Sequence, residues 1–142
     1  MSAMDSFAYR EGLLHAEEVS ALELADRFGT PLYAYSQATL EGHYDRLAEA
    51  FSELRPLICY SVKSCPNTHV CRVLVDRGSG MDVVSGGELE RAWLAGCPMD
   101  RVVYAGVGKT EPEIRAALDG RLGLLKGGRD GDTGRRPAPP AR

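Results

Sequence analysis

The 142-residue sequence has no long apolar run, no marked excess of either charge, a single tryptophan and only three histidines. A membrane-spanning helix needs about 20 predominantly apolar residues, and no segment approaches that length. Asp5, Arg10 and Glu11 interrupt the region where a secretory leader needs unbroken apolar chain, so the expected location is the cytoplasm. A formal net charge of -3 gives no field for gripping nucleic acid or an anionic membrane, and neither partner is expected. Of the four cysteines, none forms a CxxC pair. Cys65-x-x-x-His69-x-Cys71 suggests metal ligands, but it lacks the spacing of a knuckle, so Cys59, Cys65, Cys71 and Cys97 read as reduced, incidental thiols with no metal.

What is present is enough for a globular core: 44% of residues are hydrophobic and 26% charged. Ser20-Ala21-Leu22-Glu23 has capping-box spacing, and Gly29 closes the short helix it opens. "TPLYAYS" (residues 30–36) reads as a strand beginning at Pro31. From Ser36 to Leu54, Leu40, Tyr44, Leu47, Phe51 and Leu54 recur at alternating four- and three-residue steps, which predicts a helix with one face packed on a core.

From Leu57 onward the pattern is strand, helix, strand, helix, strand, helix, with "LICYSV", "MDVVS" and "RVVYAG" as the strands. Ser85-Gly86-Gly87-Glu88 and Thr110-Glu111-Pro112-Glu113 are helix starts, and Gly78 and Gly96 are stops. Short connections between alternating elements predict an α/β fold with a parallel sheet, either doubly wound or part of a (β/α)8 barrel. After Leu125 the chain turns to Gly, Arg, Pro and Asp without apolar period, and residues 126–142 are expected to be a disordered tail. The predicted organisation is an extension with a short helix over 1–27, a partial barrel over 28–125 and the tail over 126–142.

In parallel α/β folds, ligands gather at the C-terminal ends of the strands. Three such ends carry polar or glycine-rich groups: Ser61 to Ser64, Asp82 to Glu88 and Gly106 to Lys109. Lys63, just past "LICYSV", is either a solvated strand end or a desolvated amine able to form an imine with a carbonyl. Asp82, within an apolar strand, needs either local backbone donors or a site. Ser85 and Glu88 are explained as a helix cap, with an anion site at the paired glycines as the weaker reading. Neither GxGxxG nor GxxxxGK[ST] occurs, which disfavours a flavodoxin-like nucleotide module.

Taken together and in this order, "FGTPLYAYS", "CYSVKSCPN", "GSGMDVVSGGELERAWLAG" and "RVVYAGVGKTEPEIRAAL" resemble the amino-terminal part of the pyridoxal-phosphate-dependent group IV decarboxylases, nearest the branch that acts on diaminopimelate. The resemblance runs from about Phe28 to Leu118. It implies an alanine racemase-like TIM barrel, of which about three βα units are present, and pyridoxal 5′-phosphate as cofactor.

The family's Tyr-Ala-x-Lys-Ala-Asn pattern falls on Tyr60 to Cys65, making Lys63 the lysine that carries the cofactor. The departures from that pattern are Ser61, Ser64 and Cys65. The Asp-Val-Val-Ser-x-Gly-Glu-Leu motif falls on Asp82 to Leu89, so Asp82, Ser61 and Ser85 are expected to border the cofactor. The implied reaction converts meso-diaminopimelate to L-lysine and carbon dioxide, in a full-length homodimer acting on a small amino acid.

The resemblance ends where a fourth strand should begin. The chain is therefore expected to be an inactive, truncated or frame-shifted fragment. The other readings are another decarboxylase or racemase-like barrel using the same lysine, or a remnant without activity.

Overall fold

The computed structural model describes residues 5–107, 109–119, 122–126 and 133–134. Two compact units divide the chain, Met1–Ser52 and Glu53–Arg142.

In the first unit, β1 (Phe7–Arg10), β2 (Leu13–Ala16) and β3 (Val19–Ser20) form an antiparallel sheet that the sequence pattern did not foretell. Its first turn has two residues, Glu11 (φ 51°) and Gly12 (φ 83°). Two consecutive positive φ values give the tight hairpin turn whose twist matches the strands, and Gly12 was its only sequence signal.

α1 (Ala21–Phe28) starts as expected: Ser20 Oγ accepts from Glu23 N at 3.1 Å, and Gly29 (φ 80°) ends it. α2 (Gln37–Ala50) is capped by Ser36, whose Oγ accepts from Thr39 N at 3.0 Å.

Two expectations for this unit need correction. Residues 30–36 form no strand, because among the described residues nothing supplies a ladder to pair with, and strand propensity expresses fit to a sheet more than intrinsic backbone preference. The apolar face of α2 is not packed away: the helix has no buried residue, and Leu47 and Phe51 are exposed.

The second unit contains the alternation. β4 (Cys59–Ser61), α3 (Thr68–Asp76), β5 (Gly80–Val83), α4 (Gly86–Leu94), β6 (Val102–Tyr104), α5 (Glu111–Asp119) and β7 (Leu124–Lys126) follow one another, and β4-β5-β6-β7 is a parallel run in chain order. Neighbour-to-neighbour parallel order with a helix in each crossover is an arc of a (β/α)8 barrel, with three complete βα units and the next strand. The short antiparallel β8 (Thr133–Gly134) adds to β7. The expectation of disorder over 126–142 otherwise lies outside the described residues.

Register sorts the side chains into two faces, since paired positions on neighbouring strands project to the same side. Met81, Val83, Val102 and Tyr104 are fully buried on the helix side, where Val70, Cys71, Leu74, Leu89, Ala92 and Ala117 complete the core. Cys59, Ser61, Asp82 and Val103 occupy the opposite face and are only half-buried. Polar residues therefore sit on the side of the arc that a closed barrel would turn inward. Among the described residues, no helix is long and apolar enough to cross a membrane.

Candidate active site

β4 ends at Ser61, and a single 3₁₀ turn, Val62–Ser64, follows at once. Val62 is fully buried and anchors this turn, while Lys63 is exposed. The lysine loop is held from behind: Tyr60 Oη donates to the Cys65 carbonyl at 3.3 Å, and Arg91 Nη1, from α4, donates to the Pro66 carbonyl at 3.0 Å. Asn67 then caps α3, its side chain accepting from His69 N at 2.9 Å. Among the described residues, no side chain or carbonyl partners the Lys63 ammonium.

Ser61 and Asp82 are paired in register on β4 and β5, and the Ser61 hydroxyl donates to Asp82 Oδ2 at 3.3 Å. The partner that Asp82 finds is thus a side chain on the neighbouring strand and not a local backbone donor. Burial pushes the Cys59 thiol pKa up and the Asp82 carboxylate adds to the rise, so this charge is felt along the same face.

The β5–α4 turn is closed by its own groups. Ser85 Oγ accepts from Glu88 N at 3.3 Å, and Glu88 Oε2 accepts from Val84 N at 2.9 Å, one residue upstream of the bond that a standard capping box makes. Gly86 N donates to Glu113 Oε1 at 2.8 Å, so the helix start that the sequence left open as a weak anion site already holds a carboxylate. Lys109 folds onto its own loop, with Nζ donating to the Gly106 carbonyl at 2.6 Å and lying 5.2 Å from the centre of the Tyr104 ring.

The structure thus joins two of the three strand ends through Ser61 and Asp82, and the second and third through Gly86 and Glu113. Sequence reasoning missed Arg91, Tyr60 and the long-range bond of Glu113; only the capping spacing of Thr110 and Glu113 pointed toward any of them.

Glu113 also accepts from Thr110 N and Thr110 Oγ1, both at 2.8 Å. Backbone and side-chain donation from Thr110 and donation from Gly86 N hold its carboxyl down at about 2. Beneath it the Tyr104 hydroxyl is buried without a hydrogen-bond partner among the described residues, and burial, with the Glu113 carboxylate nearby, pushes it up to about 12. Among the described residues, no cluster of three His, Cys, Asp or Glu side chains could hold a metal ion. A groove of about 660 Å³ in the first unit, lined by residues such as Phe28, Leu32 and Tyr33, contains none of these groups.

Residues 37–127 match the family described as pyridoxal-dependent decarboxylase, pyridoxal binding domain. The chain belongs to this family. As a member of the pyridoxal-dependent decarboxylases it is 46% identical over 119 residues to the diaminopimelate decarboxylase of Haemophilus influenzae, covering 84% of this chain and 29% of that protein. It is 49% identical over 116 residues to the enzyme of the same name from Vibrio cholerae, covering 81% and 28%.

Among solved structures, diaminopimelate decarboxylase from M. jannaschii in complex with L-lysine superposes with a TM-score of 0.82 at 32% identity, covering 89% of this chain and 30% of that one. The likeness places the arc of strands in the barrel of these decarboxylases. The chain spans under a third of the length of the curated relatives it matches.

Proposed function

We propose that this chain supplies the lysine-bearing part of the active site of a pyridoxal 5′-phosphate-dependent decarboxylase that converts meso-diaminopimelate to L-lysine and carbon dioxide. The observation that carries the reading is the setting of Lys63: an exposed primary amine without a partner among the described residues, on a turn pinned by Tyr60 and Arg91, at the C-terminal end of a barrel strand. Support for the substrate comes from relatives at 46–49% identity that carry the name diaminopimelate decarboxylase. A lysine/ornithine decarboxylase from Vibrio vulnificus is more distant, at 27% identity and a TM-score of 0.60.

The donor set suits an aldehyde-bearing aromatic cofactor. Lys63 would hold it through the amine, which a pinned turn keeps at the rim while the side chain itself stays mobile enough to be displaced by a substrate amine. Ser61 and Asp82 would border it from the half-open strand face, with the Ser61 proton fixing one carboxylate oxygen and leaving the other to accept a proton or hydrogen bond. Ser85 would border it from the next strand end, its oxygen accepting from Glu88 N and its hydroxyl proton available to donate. When bound, pyridoxal phosphate supplies an electron-withdrawing ring that takes up the electron pair left on the substrate when its carboxylate departs.

Borohydride reduction of the chain after incubation with pyridoxal phosphate, followed by peptide mapping, tests the reading. The expected result is a pyridoxyl group on the Lys63 peptide, absent from the Lys63→Arg variant. Equal labelling of Lys63, Lys109 and Lys126 would overturn it.

A further inference from the structure

Glu113 ties together two strand ends that lie far apart in sequence. Oε1 accepts from Gly86 N across 27 residues, while Oε2 accepts from the backbone and hydroxyl of Thr110 in its own helix cap. Bonds from amides to an ionised carboxylate are stronger than neutral ones, so this is a stiff brace. The approach is close: a Cβ added at Gly86 would lie 3.2 Å from Glu113 Oε1 and 3.3 Å from its Cγ. A second brace lies beside it, where the β6–α5 loop passes so near that a Cβ at Gly106 would lie 3.3 Å from Val84 Cβ. Val84 to Gly86 is the segment that leaves β5 after Val83, the residue next to Asp82.

We propose that Glu113 is a positioning residue of the active-site rim: by holding Gly86 it fixes the Val84–Gly87 turn against the β6–α5 loop, and so fixes how Asp82 and Ser85 face the Lys63 end of β4. The inference rests on the proposed function for its link to Lys63, and on geometry alone for the brace.

The local cap and the long-range bond can be separated by side-chain length. Glu113→Asp keeps a carboxylate able to cap Thr110 but is one methylene too short for Gly86, whereas Glu113→Ala removes both bonds. Amide hydrogen exchange on the 142-residue chain should show Val84–Gly87 exchanging about tenfold faster in both variants, the scale of one charge-assisted hydrogen bond lost from a local opening. The amides of α3 should be unchanged, and Thr110 should be faster only in Glu113→Ala. If Glu113→Ala unfolds, which faster exchange in α3 would reveal, Glu113→Asp decides.

The second readout is the preference of pyridoxal phosphate for Lys63 over Lys109 and Lys126 after borohydride trapping, and it should fall in both variants. Unchanged exchange at Val84–Gly87 overturns the brace. Faster exchange with unchanged Lys63 preference overturns the positioning role. If the unaltered chain itself shows no Lys63 preference, the proposed function fails, and the exchange result alone then judges the brace.

Discussion

The hydroxyl of Ser61 donates to the carboxylate of Asp82 at 3.3 Å between two in-register residues of neighbouring parallel strands. This pair places a negative charge on the half-buried face of the arc that Cys59 shares. Burial is the main reason the Cys59 thiol is held in its neutral form, and the Asp82 charge adds to it. Asp82→Asn should therefore lower the Cys59 pKa without returning it to its ordinary value. Alkylation rates of Cys59 against pH, followed by mass spectrometry, should shift to lower pH in the variant. Cys97, which burial pushes up to about 11, should not move, since Asp82 does not contribute to its shift. An unchanged Cys59 profile would mean that Asp82 does not act on this face.

Glycine positions make opposite predictions according to what surrounds them. A Cβ at Gly80 would lie 2.8 Å from Cys59 Sγ and closer still to the Arg101 carbonyl oxygen, so β5 would have to move away from its neighbours. Gly80→Ala should cost about 1–3 kcal/mol, the range for overfilling a packed interior. Gly42 lies inside α2, where an added Cβ would meet nothing within 4 Å. Gly42→Ala should add about 0.5–1 kcal/mol, because glycine gives up more backbone freedom than alanine on entering a helix. Urea unfolding midpoints should move in opposite directions for the two variants.

The alternation of strands and helices was legible from Leu57 onward because each βα unit writes its own signals: a β-branched run, a capping residue, an apolar helical stripe and a glycine stop. A carboxylate inside an apolar strand drew notice to Asp82, whereas Lys63 at a strand end reads equally as a solvated residue, and only the resemblance of the surrounding motifs singled it out. The hairpin of β1 and β2 was hidden because only Gly12 marks its turn, Glu11 taking a positive φ without being glycine or asparagine. Residues 30–36 misled because tyrosines suited to a pleated surface say nothing about whether a neighbouring strand is there to pair with. Glu113 was visible as a helix cap and invisible as a brace, since a bond across 27 residues has no local pattern.

Acid should expose Glu113. Its carboxyl titrates at about 2 in the folded chain against an ordinary value of 4.5, so the folded state favours the charged form. The resulting contribution to stability is complete above the ordinary value and is lost as pH falls from 4.5 through about 2. Glu113→Gln removes that titration. Between pH 4.5 and 2 the unaltered chain should therefore lose more stability than the variant, with the two profiles running parallel above that window. Equilibrium urea unfolding at a series of pH values checks the sign, and the difference should shrink in high salt because the side chain is solvent-accessible.

The exposed inner face sets the last expectation. A (β/α)8 barrel encloses the inward side chains of eight strands, and its catalytic groups come from the ends of several of them. Here β4, β5, β6 and β7 form an open arc in which Cys59, Ser61, Asp82 and Val103 remain half-buried, and among the described residues β4 is an unpaired edge. Such a face admits water beside Lys63, which weakens every electrostatic contact that a decarboxylating site needs, and an unpaired edge invites association. The 142-residue chain with pyridoxal phosphate and meso-diaminopimelate should release no more carbon dioxide than its Lys63→Ala variant, even where borohydride traps cofactor on Lys63. Its sedimentation should depend on concentration. Carbon dioxide release above that control would show that three βα units suffice for the chemistry, and would leave the enclosing strands no part in the reaction.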